Sequence, residues 1–365
     1  MKKIIAIILS SLIVCAASGC GSNGASSKAE STEAASTAEA APEATAATAN
    51  PSVPTGMDET IKQHGFEGVI YAVENGAPVA SYASGKLENG SEITLDSPLP
   101  IGSVSKQFCA AAVLLLEEQG KLSVSDTLDK YYPDYAEGKK LTLHNLLSMR
   151  SGIPELTAES GDVVKPDGTE AENVSAIKEW VFSQPLSFEP DAEFVYTNTN
   201  YALLADIVEQ VSGKKYADFL RDSFFTPLGM THTGFISELS SSPAWTQGNT
   251  YEQVDLIPGL TRGAGDIISN AADMTAWINA LSSGKVISAE SYKAMTTDYS
   301  PDVHYGYGMY LQLEGGAGHY GAIGIYSAFD YVNTDKKLTL IVLCNTIDPT
   351  AMTGLASDLL YDLMG

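Results

Sequence analysis

Short apolar runs near both ends of the folded part of the chain predict β-strands. Four runs are rich in β-branched and other apolar residues: 68–74, 78–84, 325–333 and 338–344. Asn75-Gly76 separates the first two and is a strong signal for a hairpin turn, while Thr334-Asp335-Lys336 separates the last two. An amphipathic stretch at 350–363 predicts a final helix.

The region between these two pairs of strands reads mainly as helices and loops. Strands at both ends with helices between them predict an α+β fold. In this arrangement both termini complete one antiparallel sheet, helices flank the sheet, and a helical lobe is inserted in the middle.

The most apolar helix predicted in the chain follows a serine and a lysine. Residues 108–116 are apolar without interruption, as in a central core helix, and Ser103 and Lys106 stand just before them. Positions three residues apart share one face of a helix, so the two side chains can meet. A desolvated lysine can accept the proton of a serine hydroxyl and make it a nucleophile.

The Ser-x-x-Lys pattern alone has little specificity, because it occurs four times. The four serines are Ser103, Ser175, Ser212 and Ser282. The copies at 212 and 282 lie beside glycines that indicate helix ends, and the copy at 175 lies in an ordinary amphipathic stretch. Position before a buried helix favours Ser103.

The N-terminus predicts export and anchoring. Lys2 and Lys3, then an apolar run at 4–14, are typical of a signal peptide of residues 1–19. Small residues before Cys20 resemble a bacterial lipoprotein signal, with an ordinary secretory cleavage site as the alternative. Residues 20–56 are low in complexity and lack aromatic residues, which predicts a flexible tether to a catalytic domain at 57–365.

Charge and metal-ligating residues exclude several classes of function. The net charge is −24, of which residues 57–365 carry −23 because 1–56 hold three lysines and four glutamates. Such an acidic domain argues against nucleic acid and against electrostatic binding to anionic lipid. The five histidines form no pair at metal-ligand spacing, so neither a metal nor another cofactor is indicated. Cys109 and Cys344 lie in apolar runs and are expected to be buried thiols, with a disulfide as the alternative in an exported protein.

Tyr196-Thr197-Asn198 is a second candidate for the site. A tyrosine close to Lys106 can pass a proton between Ser103 and a leaving group, and Asn198 can bind a substrate amide. Capping of the following helix explains the same residues equally well. Tyr-x-Asn also occurs at Tyr331, within a predicted strand.

His319-Tyr320-Gly321-Ala322 is a third candidate and is predicted to lead into a strand. Gly321 allows the backbone to approach a substrate closely. The Ala322 N–H can then join the Ser103 N–H as an oxyanion hole. Two further His-x-Gly-like histidines, His232 and His304, show that this pattern is also common within the chain.

Taken together, residues 57–365 resemble the serine β-lactamase and penicillin-binding protein family, in its class C-like and D-alanyl-D-alanine carboxypeptidase or esterase branch. The matching segments are IGSVSKQ at 101–107, LLSMRSGIP at 146–154, YTN at 196–198 with YALL at 201–204, PLGM at 227–230, GAGD at 263–266 and HYG at 319–321. The catalytic motifs keep the family's order, separated by 93 and 123 residues.

The resemblance implies a β-lactamase/transpeptidase-like fold and an acyl-enzyme on Ser103. Lys106 and Tyr196 would share the general acid and base roles, Asn198, His319 and Gly321 would bind substrate, and Ser103 and Ala322 would form the oxyanion hole. The expected substrate is a small molecule or a peptidoglycan fragment of D-alanyl type, as a peptide, ester or amide. The only expected membrane contact is the lipid on Cys20, outside the cytoplasm.

Two departures from the family bear on the substrate. Class C β-lactamases carry lysine where this chain has His319, and a histidine is largely neutral at pH 7, which weakens the case for a β-lactamase. Met149-Arg150 replaces the usual His-Thr before Ser-Gly-Ile. A β-lactamase and a non-catalytic module that binds peptidoglycan or penicillin are the competing functions.

Overall fold

A computed structural model describes residues 52–54, 56–156, 163–241, 243–251, 254, 257–346 and 349–365. The predicted lipidation site Cys20, the signal peptide and most of the tether lie outside these residues. Backbone pairing begins at Ser52, which exchanges two hydrogen bonds of 2.8 Å with Ser81. The C-terminal end of the segment predicted as a tether therefore contacts the domain.

The described residues form two antiparallel sheets. The strands are β1 (Gly68–Glu74), β2 (Ala77–Ser84), β3 (Leu99–Pro100), β4 (Gly234–Phe235), β5 (Ile267–Ser269), β6 (Tyr310–Leu313), β7 (Gly316–Ile323), β8 (Tyr326–Asn333) and β9 (Leu338–Cys344). The main sheet has the order β2-β1-β9-β8-β7-β6, and a small sheet has the order β3-β5-β4. The four strands predicted from apolar runs are confirmed, and β1, next to the edge strand β2, pairs directly with β9. Both termini thus complete one sheet.

Helices cover both faces of the main sheet. They are α1 (Met57–His64), α2 (Ser105–Glu118), α3 (Leu143–Leu147), α4 (Glu170–Ser183), α5 (Asn198–Ser212), α6 (Tyr216–Leu220), α7 (Thr226–Leu228), α8 (Ala271–Ser282), α9 (Ala289–Met295) and α10 (Pro349–Met364). Helices α1 and α10 pack on one face, where Ile70 and Val342 meet Ile61 and Leu355. Helices α2 and α8 belong to the core on the other face. The strands are therefore apolar on both sides, and the α+β prediction is confirmed.

Helix α2 is the centre of the larger core. Its residues 108–114 are at most 1% exposed, and Phe108 stacks on Trp277 of α8 with ring centroids 3.8 Å apart. Cys109 in α2 and Cys344 in β9 are both buried thiols, as predicted. Within the described residues, no helix is long and apolar enough to cross a membrane.

Candidate active site

Ser103 and Lys106 meet where a short 3-10 turn runs into helix α2. The turn spans Gly102–Val104, and Lys106 is the second residue of the helix. The Lys106 Nζ lies 3.0 Å from the Ser103 Oγ. Lys106 is completely buried whereas Ser103 is partly exposed, so the hydroxyl faces the surface and its partner lies beneath it.

The Lys106 amine has two further partners that accept hydrogen bonds only. Its Nζ lies 2.7 Å from the Asn198 Oδ1 and 2.7 Å from the Ala264 backbone carbonyl oxygen. A neutral amine has two N–H groups and one lone pair. Because two acceptors take both N–H groups, the lone pair is left to receive the proton of Ser103.

Burial favours the neutral form of the Lys106 amine near physiological pH. It lowers the pKa of Lys106 to about 7, and the Glu155 carboxylate opposes part of that shift. A general base is most effective when its pKa lies near the working pH. The site therefore holds a lysine suited to deprotonate Ser103.

Tyr196 lies over the same amine and is suited to a different role. Its ring centroid is 4.8 Å from the Lys106 Nζ. The hydroxyl is buried, and no partner meets full hydrogen-bond geometry within the part of the chain that the structure describes. Burial raises the pKa of Tyr196 well above its usual value, and a longer interaction with the Ser103 hydroxyl offsets part of the rise. Tyr196 therefore remains a phenol at neutral pH and can donate a proton to a leaving group.

The Asn198 side chain contacts Lys106, and the first turn of α5 is capped by Glu155. Asn198 turns its Oδ1 to Lys106 and donates from Nδ2 to the Glu155 Oε1 at 2.7 Å. The N-cap residue Thr197 makes no side-chain capping bond. The Thr199 N–H at the helix start instead donates to the Glu155 Oε2 at 3.1 Å. The capping interpretation of Asn198 is thus not what the contacts support.

His319 is buried behind the tyrosines and does not face the surface. It is 1% exposed, and its ring lies 6.1 Å from that of Tyr196 and 5.0 Å from that of Tyr310. Its Nδ1 contacts the Tyr320 carbonyl oxygen, which can only accept, so Nδ1 carries the hydrogen. Its Nε2 then accepts from the Tyr305 hydroxyl at 3.2 Å. This placement supports the tyrosines rather than a direct contact with substrate.

The charge state of His319 follows from the same burial. Removal from water, helped by the nearby Lys106 ammonium, lowers the pKa of His319 to about 3. The imidazole is therefore neutral across the physiological range and supplies no cation to a substrate carboxylate.

The glycine after Tyr320 brings strand β7 against the turn that carries Ser103. A Cβ on Gly321 would lie 1.9 Å from the Ile101 carbonyl oxygen and 3.1 Å from the Ser103 N. A Cβ on Gly102 would lie 2.5 Å from the Ala322 N. Direct backbone contact thus places both predicted oxyanion-hole N–H groups on adjoining segments. The close approach attributed to Gly321 is toward the protein's own backbone.

The position of this motif in the strand differs from the prediction. Residues 319–322 lie within β7 and pair with residues of β8, whereas the sequence places them before a strand. Glycines here make room for a neighbouring backbone and do not end the strand.

The Met149-Arg150 departure also has a structural consequence. The Met149 sulfur lies 3.3 Å from the Thr197 N, and the Met149 carbonyl oxygen accepts from the Val195 N at 3.0 Å. Met149 thereby holds the segment that leads into Tyr196. The Arg150 guanidinium instead faces Asp191 at 3.7 Å.

Sequence reasoning missed two members of the site, Glu155 and Ala264. Glu155 directly follows the family segment SGIP at 151–154, and Ala264 lies within the segment GAGD at 263–266. Glu155 is 43 residues from its partner Asn198, and Ala264 is 158 residues from Lys106. The backbone carbonyl of Ala264 has no residue-type signal at all, whereas a carboxylate after a Gly-Ile-Pro turn was visible in the sequence.

Comparisons with known proteins agree with the geometry. The Beta-lactamase family model matches residues 52–361. PbpX of Bacillus subtilis (strain 168), named as a penicillin-binding protein, is 32% identical over 315 residues, which are 83% of this chain and 76% of PbpX. A D-aminopeptidase of Brucella anthropi is 28% identical over 315 residues, which are 81% of this chain and 58% of that enzyme.

A solved structure shares the fold. The D-amino acid amidase of Ochrobactrum anthropi SV3, complexed with D-phenylalanine, superimposes with a TM-score of 0.71 at 22% sequence identity. The match covers 85% of this chain and 99% of the amidase chain.

Proposed function

Because the chain belongs to the Beta-lactamase family of serine β-lactamase- and penicillin-binding-protein-like hydrolases, we propose that it forms an acyl-enzyme on Ser103 with D-alanyl-type peptides, esters or amides. The observation that carries this proposal is the set of three contacts made by the Lys106 amine. Two of them are acceptors only, and the third is the Ser103 hydroxyl.

In the proposed first step, neutral Lys106 takes the proton of Ser103 as the Oγ bonds to the substrate carbonyl carbon. The carbonyl electron pair moves to its oxygen, which the Ser103 and Ala322 N–H groups stabilise. When the C=O bond re-forms, the bond to the leaving group breaks. Tyr196 gives the leaving group its proton and regains one from the Lys106 ammonium. In the second half of the reaction, water attacks the acyl carbon in the same way and gives its proton to Lys106. The bond from the acyl carbon to the Ser103 Oγ then breaks, and Ser103 regains a proton.

The substrate class is favoured by the relatives and by the charge of the site. The relatives include proteins named as a D-aminopeptidase and a D-amino acid amidase. A neutral, buried His319 offers no cation for the carboxylate of a β-lactam antibiotic. The relatives favour small D-aminoacyl compounds, and the neutral histidine favours those without a free carboxylate, such as amides and esters, over β-lactams.

A substrate panel tests this proposal. The purified protein should hydrolyse an activated ester and a D-alanyl amide or dipeptide, and a fluorescent penicillin should label it covalently. Turnover of nitrocefin faster than of the D-alanyl compounds would instead indicate a β-lactamase. Tight, reversible binding of penicillin without an adduct and without hydrolysis of any compound would indicate a binding module.

The location of the protein is part of the proposal. The signal-like residues 1–19 and Cys20 support a lipid anchor outside the cytoplasm, with the acidic domain held off the membrane by the tether. In a bacterial host the protein should partition into the detergent phase, and Cys20→Ala should move it to the aqueous phase. Equal partitioning of both proteins would contradict the anchor.

A further inference from the structure

Glu155 lies at the edge of the candidate site, and its carboxylate makes three hydrogen bonds at the start of α5. Its Oε1 accepts from the Asn198 Nδ2 at 2.7 Å. Its Oε2 accepts from the Thr199 N at 3.1 Å and from the Thr199 Oγ1 at 3.2 Å. The Thr199 Oγ1 in turn accepts from the Leu156 N at 3.0 Å. Glu155 is therefore fixed against the first turn of the helix that presents Asn198.

This carboxylate determines which end of the Asn198 amide faces Lys106. Burial raises the pKa of Glu155, while the hydrogen bonds from Thr199 and Asn198 and the nearby Lys106 favour its ionised form. The ionised carboxylate only accepts hydrogen bonds, so it selects the NH₂ end of the amide. The Oδ1 end is then directed to the Lys106 Nζ, 2.7 Å away. With the amide reversed, an N–H group would oppose the lysine N–H, and Lys106 would lose one of the two acceptors that free its lone pair.

Glu155 also contributes charge. Of the ionisable groups around Lys106, Glu155 most strongly favours the ammonium form, and Asp266 contributes less. The other side chains facing the amine are the neutral phenols Tyr196 and Tyr201, whose rings lie 4.8 and 5.7 Å from Nζ, and the neutral His319.

We propose that Glu155 is a positioning residue for the serine chemistry: it orients the Asn198 amide so that Lys106 presents its lone pair to Ser103. The inference rests on the proposed function and names a residue outside the three family motifs. The chain of contacts runs from Ser103 through Lys106 and Asn198 to Glu155. In such a chain each group is oriented by the next, as in other sites where a base is held by a third residue.

Glu155→Gln is the decisive variant. A glutamine amide has one acceptor end, so either Asn198 or Thr199 loses its acceptor. We expect kcat/KM for an activated ester to fall about 10²-fold, the cost of a small misplacement in a catalytic site. We also expect the acidic limb of the kcat/KM profile to move below its wild-type midpoint, because the lost negative charge no longer favours the Lys106 ammonium.

Two variants separate this role from capping alone. Thr199→Val removes one bond to Glu155 and keeps the Asn198 contact, so it should lower the melting temperature while kcat/KM stays within about threefold, a change of under 1 kcal/mol in the barrier. Glu193→Gln removes the same charge from an exposed residue near Tyr196 and should change neither quantity. If Glu155→Gln does not fold, Glu155→Asp decides. It keeps the charge but shortens the side chain, so kcat/KM should fall with the limb unmoved.

The inference is overturned if folded Glu155→Gln keeps wild-type kcat/KM and an unmoved limb, or if Thr199→Val loses as much activity as the Glu155 variant. Wild-type protein that neither hydrolyses ester nor labels on Ser103 would instead reject the proposed function itself. Wild-type activity is measured in the same experiment, so the two failures are distinguishable.

Discussion

Ser103→Ala is expected to lower kcat for an activated ester by about 10⁴–10⁶-fold, the range seen when one member of a serine triad is removed. The reason is that, among the described residues, no other hydroxyl shares the geometry of Ser103, which is partly exposed and 3.0 Å from a buried amine. Steady-state kinetics measures the loss, and intact-mass spectrometry should show an acyl adduct on the wild type only.

Ser175→Ala is the matched control for that variant. Ser175 begins another Ser-x-x-Lys copy, but it is exposed, and its Lys178 pairs with Asp206 at 3.0 Å. This variant should keep wild-type turnover. Wild-type activity in Ser103→Ala, or an adduct on another residue, would remove Ser103 from the mechanism.

Lys106→Met should lower kcat/KM by about 10²–10⁴-fold, the usual contribution of a general base. In the wild type, kcat/KM should rise about tenfold per pH unit below a midpoint near 7, because only the neutral amine accepts the Ser103 proton. Above that pH the profile should level. The variant lacks the titrating amine, so its residual activity should lose this limb.

Lys285→Met is the control, since Lys285 ends another Ser-x-x-Lys copy and is exposed. It should keep both the wild-type rate and the limb near pH 7. Thermal melts of each variant exclude unfolding as the cause. A limb near pH 7 that persists in Lys106→Met would assign the titration to another group.

The pattern of apolar residues was enough to predict the sheet. The runs at 68–74 and 338–344 depend on local composition, and the hairpin depends on Asn75-Gly76, where both residues adopt positive φ. Such signals are read within a few residues of chain. That β1 pairs with β9 could also be expected, since strands from both ends must share one core.

Charge states and contacts within the site cannot be predicted from a few neighbouring residues. Lys106 belongs to a pattern that occurs four times, and only its burial separates it chemically from the exposed Lys215 and Lys285. His319 was expected to touch substrate, yet the structure places it behind Tyr196. Burial arises from packing among distant segments, so the motifs themselves show neither the burial of Lys106 nor the position of His319.

The sequence by itself determined the strands, the helix behind Ser103 and the residue types of the proposed acyl-transfer site, because periodicity and motif order are local or linear properties. Only the tertiary structure decided that the Lys106 amine contacts two acceptors, on Asn198 and Ala264, and that Glu155 contacts Asn198. Those contacts join residues 43 to 158 positions apart. These hydrogen bonds form because the loops at 153–156 and 263–266 lie beside the first turns of α2 and α5.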